Sequence, residues 1–144
     1  MEERLYASIE QLHAAIEDFE SALAVNHEDF SPRVADLVQN GQIQKFEFTI
    51  ELFWKTVRVF LLEFHGLDIP SPKPAIKNYF ELGHIDYPGL ERLLRALEIR
   101  NSLSHLYKKE AFVALHAEIL GFRGFFLPAA SAMIPLQLLR LTKV

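Results

Sequence analysis

The chain has 144 residues, of which 50% are hydrophobic and 12% aromatic, so it can form one domain with a substantial core. It has no cysteine, which excludes disulfides and thiolate metal sites and indicates a reducing, cytoplasmic location. Its net charge of -4 does not favour nucleic acid over the whole surface, so any contact with RNA must come from a local basic patch. The first residues run directly into an amphipathic pattern, and no secretory signal is expected.

The first half of the chain predicts two helices. In the first helix, which should end near residues 26–27, apolar residues recur at steps of three and four and therefore share one face. They are Leu5, Ile9, Leu12, Ile16, Phe19 and Leu23. The second helix is apolar on several sides between Ile43 and Phe64, with Gly66 as its C-terminal stop. We therefore expect it in the middle of a bundle.

Prolines divide the rest of the chain into shorter helices. Three prolines within residues 69–74 predict an extended connector, and a short helix is expected over residues 75–82. Asp86 is the predicted cap of a longer helix that continues through Tyr107. A last helix is predicted over about residues 110–126, and the next proline ends it.

Together these elements predict an all-α, up-and-down bundle of four to five helices that forms a single domain over residues 1–144. Its end, about residues 122–144, is an apolar tail. The uncharged stretch between Gly124 and Leu139 contains two prolines and is shorter than the roughly 20 apolar residues of a spanning helix. We expect a buried turn and tail there, and no membrane association.

The helix that follows Asp86 is apolar on two faces at its start. The residues of the second face are Leu90, Leu93, Leu94 and Leu97. Because the helix needs a cover on both faces, a second protomer is the simplest candidate for one of them. We therefore predict a homodimer that forms through the helix of residues 90–107.

The end of the same helix concentrates groups that suit phosphodiester chemistry. Arg100 offers a planar fork of donors to a phosphate, and His105 titrates near neutrality and can take or give a proton. Asn101 lies one turn before His105 and is placed to orient its ring. A two-fold dimer would bring two copies of each group together, so that one imidazole acts as base and the other as acid, with no metal or cofactor.

Other interpretations of these residues are structural. Arg100 can pair with a nearby glutamate, and His105 can simply cap a helix end. The remaining histidines have no metal-ligand spacing, so no metal site is expected. Glu47 and Glu51, one turn apart on the second helix, fit a solvated face better than a site for a cation or partner. Trp54 fits the core better than a stacking platform for a base.

Two separated blocks resemble the HEPN family. Residues 100–107, with the pattern Arg-Asn-x-x-x-His-x-Tyr, are similar to the HEPN signature. Residues 41–55 resemble a helix of its nucleotidyltransferase substrate-binding protein subgroup. A Ser-Pro pair, a short helix and a glycine turn lie between the two blocks, as in that subgroup. The resemblance spans about residues 3–120.

This resemblance implies a homodimeric helical bundle that works beside a minimal nucleotidyltransferase encoded nearby. In one interpretation the chain is a metal-independent RNase toxin of a HEPN/MNT toxin–antitoxin pair, which the partner neutralises by adding AMP to a tyrosine. Arg100 and His105 are then the catalytic pair, Asn101 supports them, and Tyr107 is the AMP acceptor. In the alternative interpretation the chain is a non-catalytic substrate-binding subunit of the transferase. A third interpretation is a degenerate scaffold that only dimerises.

Cationic and polar residues beside the signature predict a rim that contacts the substrate. Ser104, Lys108 and Lys109 form its centre, and Arg92 and Arg95 extend it on the preceding turns of the helix. The competing interpretation is that these are ordinary solvated charges, which the acidic net charge of the chain favours.

Overall fold

The structure is a computed structural model that describes residues 2–105 and 109–134. Within these ranges the chain forms six α-helices, two short 3-10 helices and no strand, which confirms the all-α class and exceeds the four to five helices predicted. The α-helices are α1 (Glu2–Leu23), α2 (Pro32–His65), α3 (Pro72–Glu81), α4 (Tyr87–Leu103), α5 (Lys109–Leu120) and α6 (Phe126–Ala130).

Helix α2 is the element around which the others pack. It contacts α1, α3, α4 and α5, as expected for a helix that is apolar on several sides. All the predicted apolar positions of α1 are buried against the core. Phe46 and Phe53 of α2 are fully buried and meet Phe126 of α6, with ring centres 6.1 and 6.0 Å apart. Phe48 and Phe64 remain exposed on the outer side of α2.

Two helices begin at a proline, and one of them, α3, begins earlier than the sequence predicts. Helix α2 already starts at Pro32, and α3 starts at Pro72 rather than after the proline connector. In both cases a serine precedes the helix and proline occupies its first position. Proline is favoured there because its fixed φ suits a helix and its missing N–H is not needed in the first turn. The predicted connector is therefore confirmed as non-helical through residue 71, and its extension through residue 74 was wrong.

Two helices end earlier than predicted. Helix α4 stops at Leu103, where the N–H of His105 donates to the carbonyl of Ser102 over 3.0 Å. The predicted continuation through Tyr107 falls on residues 106–108, which lie outside the described part of the chain. Helix α5 stops at Leu120 instead of near residue 126, and Gly124 turns the chain with a φ of 75°. Such a left-handed value favours glycine.

The chain after this turn is buried, as predicted for the start of the apolar tail. Phe126, Ala129, Ala130 and Met133 are covered by the bundle, and Pro128 lies inside α6 instead of ending a helix. The hydroxyl of Tyr79 in α3 donates to the carbonyl of Ala129 over 2.7 Å. Residues 135–144 of the predicted tail are not among those described. None of the described helices is both long and apolar enough to cross a membrane.

The leucines that were expected to face a second protomer are covered by the chain itself. Leu90, Leu93 and Leu97 are at most 8% exposed, and Leu94 is half-buried. Helix α4 packs against both α2 and α3, so its second apolar face needs no further cover. The argument from these leucines for a dimer was therefore wrong, and homodimerisation stays a prediction.

A buried polar contact joins α5 to the end of α1. The amide nitrogen of Gln42 donates to the carbonyls of Ala22 and Val25 over 2.9 and 3.0 Å. This fixes the side-chain oxygen of Gln42 as the acceptor for Nε2 of His116 at 2.7 Å. Burial, together with the nearby ring of His27, lowers the pKa of His116. The folded state therefore favours the neutral imidazole of His116.

We expect Tyr79→Phe to lower the free energy of unfolding by about 1–2 kcal/mol, because the buried carbonyl of Ala129 loses its donor. Burial raises the pKa of Tyr79, so the hydroxyl stays a neutral donor. Urea denaturation measures the effect. The control is Tyr87→Phe at an exposed position, with an expected change below about 0.5 kcal/mol. Equal losses in the two variants would contradict a stabilising bond to Ala129.

We also expect the free energy of unfolding to fall as the pH is lowered from about 7 to 5. Histidine in the unfolded chain binds a proton near pH 6.5, whereas folded His116 resists protonation, so the unfolded state binds more protons in this window. His116→Gln should make the dependence of the unfolding free energy on pH shallower. Part of this dependence should remain, because the pKa of His84 is also lowered. Chemical denaturation at each pH measures the slope. An unchanged slope in His116→Gln would exclude His116 as the source.

Candidate functional site

The last turns of α4 place Arg100 and Asn101 at the surface beside α2. Asp86 fixes the start of this helix, because its carboxylate accepts from the N–H of Gly89 over 2.8 Å. Ala96 and Ile99 are fully buried, as the predicted helical face requires. The next two residues are therefore rotated away from the core, with Arg100 half-buried and Asn101 exposed.

Arg100 is held by a carboxylate of the central helix. Its Nη2 lies 3.1 Å from Oε2 of Glu51, and the other oxygen of Glu51 lies 3.2 Å from Nζ of Lys55. The side chain of Glu51 is only 27% exposed. Nε of Arg100 is buried and, within the described residues, has no hydrogen-bond partner. One nitrogen of the guanidinium is therefore held by an ion pair with Glu51, whereas Nε has no hydrogen-bond acceptor among the described residues.

A second carboxylate, that of Glu47, belongs to the same polar stripe of α2. Burial raises the pKa of Glu47, and the charge of Arg100 opposes this rise. The interpretation of Glu47 and Glu51 as a solvated face was therefore incomplete. Both carboxylates are half-buried, and both interact electrostatically with Arg100. Their spacing of one turn within the most apolar part of α2 was the signal in the sequence.

A cavity of about 230 Å³ opens beside Arg100 and Asn101. Its apolar lining comes from Trp54 and Leu97, and the start of α3, residues 71–74, forms another wall. The lining also contains the charged residues Glu51, Lys73 and Glu98. Trp54 is 8% exposed, so it is a core residue, as predicted, whose edge also borders this cavity.

The other predicted site residues lie around the end of α4. His105 is exposed in the turn that follows the helix, and Oγ of Ser104 donates to the carbonyl of Asn101 over 2.7 Å. No hydrogen bond between described residues links the ring of His105 to Arg100 or Asn101. Lys109 is exposed at the start of α5. Residues 106–108, which include Tyr107 and Lys108, lie outside the described residues.

The two arginines that were expected to extend the basic rim are engaged elsewhere. Arg95 forms two hydrogen bonds with Glu118 at 2.8 and 2.5 Å and a further one with Glu98 at 3.2 Å. These bonds lower the pKa of Glu118, and they neutralise the charge of Arg95. Arg92 donates to the carbonyl of Gly121 over 2.6 Å. Residues 2–105 and 109–134 contain no cluster of three or more metal-ligating side chains.

The chain belongs to the family described as nucleotidyltransferase substrate binding protein like, whose model matches residues 7–133. Its fold is similar to a crystal structure of a protein from Thermus thermophilus, with a TM-score of 0.74. That similarity covers 86% of this chain and 99% of the other, at 23% sequence identity, and it therefore concerns the fold alone. No curated protein matches the chain significantly.

Proposed function

We propose that this protein is a substrate-binding partner of a nucleotidyltransferase, and that the cavity beside Arg100 binds a nucleotide or a nucleotide unit of RNA. The family supports the first part of this proposal. The observation that carries the second part is the half-buried Arg100, anchored by Glu51 and incompletely hydrogen-bonded, at the edge of a cavity with a mixed lining.

The charges around the cavity favour a nucleotide over a bare anion. Arg100 and Lys73 are two cations that can bind phosphate, whereas Glu51 and Glu98 are two carboxylates that would repel it. Carboxylates instead accept hydrogen bonds from ribose hydroxyls and exocyclic amines. Trp54 and Leu97 supply the apolar part of the lining, which a base can contact. A ligand that combines phosphate, sugar and base matches all three kinds of lining.

The single tryptophan of the chain allows a direct test, because Trp54 borders the cavity. We expect titration with AMP to change its fluorescence, and Arg100→Gln to weaken the apparent affinity about tenfold, the loss of roughly 1.4 kcal/mol for a charge-assisted hydrogen bond. Arg33→Gln, an exposed arginine at the start of α2, is the matched control and should bind as the wild type does. A folded wild-type protein without any response at millimolar AMP would contradict nucleotide binding here.

We further expect the protein to form a stable complex with a minimal nucleotidyltransferase, which we expect a neighbouring gene to encode. Co-expression followed by size-exclusion chromatography measures this association, and the same column, with light scattering, reports whether the protein is a homodimer. Arg100→Gln should still form the complex, because the substitution affects the substrate cavity and leaves the fold unchanged. Separate elution of the two chains would count against the role as a partner subunit.

A second candidate function is that of a metal-independent RNase toxin. It is favoured by the exposed imidazole of His105 just beyond Arg100 and Asn101 at the same end of α4. In this proposal Arg100 stabilises the charge on the scissile phosphate and His105 transfers a proton. Ser104, Lys108 and Lys109 would contact the RNA. Tyr107, two residues past His105, would be the acceptor of AMP, which places a bulky anion beside the site.

The RNase proposal predicts that purified protein cleaves labelled RNA in EDTA. His105→Ala should reduce the rate by about 10²–10⁴-fold, the usual contribution of general acid–base catalysis. Arg100→Ala should also remove cleavage while the fold survives. His13→Ala, a histidine on α1 away from the site, is the control for the loss of an imidazole. If neither wild type nor variants cleave RNA but Trp54 responds to AMP, the substrate-binding function stands alone.

A further inference from the structure

A second cavity lies near the opposite end of α4, between the turn that joins α3 to α4 and the turn that joins α5 to α6. Its volume is about 580 Å³, and it shares no lining residue with the cavity beside Arg100. Gly83 and Gly124 border it from the two turns, with φ values of 84° and 75°. Both turns therefore depend on glycine conformations, and together they leave an open space against the side of α4.

Two arginines line this cavity, Arg92 from α4 and Arg123 from the second turn. The guanidinium carbon of Arg92 lies 4.6 and 4.8 Å from the ring centres of Phe122 and Phe125. Its Nη2 donates to the backbone carbonyl of Gly121. These contacts hold the guanidinium in place, yet none of them is an ion pair with a carboxylate of the described residues.

Neither of these arginines pairs with a carboxylate in the part of the chain that the structure describes. Other arginines that pack on the helices do so: Arg58 with Asp68, Arg95 with Glu98 and Glu118, and Arg100 with Glu51. This pair of arginines, which forms no ion pair among the described residues, is therefore a distinct feature of this surface. Its electrostatic complement is an anion that both side chains can contact.

The rest of the lining limits the charge and shape of this anion. Asp86 is the one carboxylate among the residues that line the cavity, and it accepts a hydrogen bond from the N–H of Gly89 as the cap of α4. The charged residues of the described lining are thus two arginines and one aspartate, and the N-terminus of α4 adds partial positive charge. Glu20 lies close by and accepts from the N–H of Gly124. Ile85, Phe125 and Pro128 form an apolar side.

We propose that this cavity is a second ligand site, which binds a phosphate monoester attached to an aromatic or apolar body. The phosphate lies between Arg92 and Arg123, and the body packs against Phe125 and Pro128. The cavity volume falls within the roughly 300–1,000 Å³ that is usual for small-molecule sites. This site is separate from the one proposed beside Arg100, and neither proposal depends on the other.

The test uses isothermal titration calorimetry of the full chain with phenyl phosphate, an aromatic phosphate monoester without a sugar. We expect binding that weakens as salt is added, and at least about a tenfold loss of affinity in Arg123→Gln. Arg123 is exposed, so this substitution should leave the fold intact. Arg92→Lys keeps the charge but loses the planar fork and its stacking on phenylalanine, and should also weaken binding.

Two controls separate this site from the one beside Arg100. Arg33→Gln removes an exposed arginine elsewhere, and Arg100→Gln removes the arginine of the other cavity; both should bind phenyl phosphate as the wild type does. Phenol and inorganic phosphate, titrated separately, should each bind more weakly than phenyl phosphate. The proposal is overturned if phenyl phosphate gives no binding at millimolar concentration, or if Arg123→Gln binds it normally. It is also overturned if Arg100→Gln abolishes the binding.

Discussion

The fold depends on covering one long helix that is apolar on several sides between Ile43 and Phe64. Helix α2 has 34 residues and buries twelve of them, and such a helix is stable in water only when neighbours enclose it. Helix α1 covers one side, α3 and α4 another, and the aromatic residues Phe122 and Phe126 after α5 close the core. The position of every other element, including the end of α4 that carries Arg100, follows from this enclosure.

Glu47 and Glu51 form a polar stripe within this apolar part of α2. The free-energy cost of half-burying their carboxylates indicates a function. Half-burial of Glu47 and Glu51 removes water from two carboxylates, and the raised pKa of Glu47 is the electrostatic consequence. The ion pair of Glu51 with Arg100 is partly exposed, and such pairs contribute only about 0–1 kcal/mol. Apolar residues would cover the core at least as well. The stripe is therefore better explained by positioning Arg100 than by stability.

Periodicity in the sequence was sufficient for the helices and for most of the core. The predicted face of α1 is buried in full, because repeated steps of three and four residues allow no other packing. The ends of helices were less predictable. Proline in a first turn is compatible with both a helix and an extended connector, so the start of α3 depended on packing rather than on Pro72 itself. The early end of α5 likewise depends on the burial of Phe122 and Phe126 beyond the turn.

The sequence predicted only those parts of the candidate site whose residues are close together along the chain. Arg100 and Asn101 lie together on α4 because they are neighbours on one helix, and the sequence shows this directly. Their partner Glu51 comes from α2, about fifty positions earlier, and no local pattern specifies which residue of another helix will oppose an arginine. The leucines of α4 illustrate the same limit. A second apolar face indicated a second protomer, but α2 and α3 of the same chain cover it.

Helix α4 carries one arginine of each cavity, and the two differ in how their charge is balanced. Arg92 and Arg100 are separated by roughly 12 Å along the helix axis, at 1.5 Å per residue. Arg100 faces carboxylates at close range, so its cavity suits a ligand that brings hydrogen-bond donors as well as a phosphate. Arg92 is stacked on phenylalanine and bonded to a neutral carbonyl, and no carboxylate of the described residues pairs with it, which is why we propose an anion site there. One rigid helix thereby carries two sites that differ in their charge balance. Ligand binding in the two cavities should therefore differ in its dependence on salt.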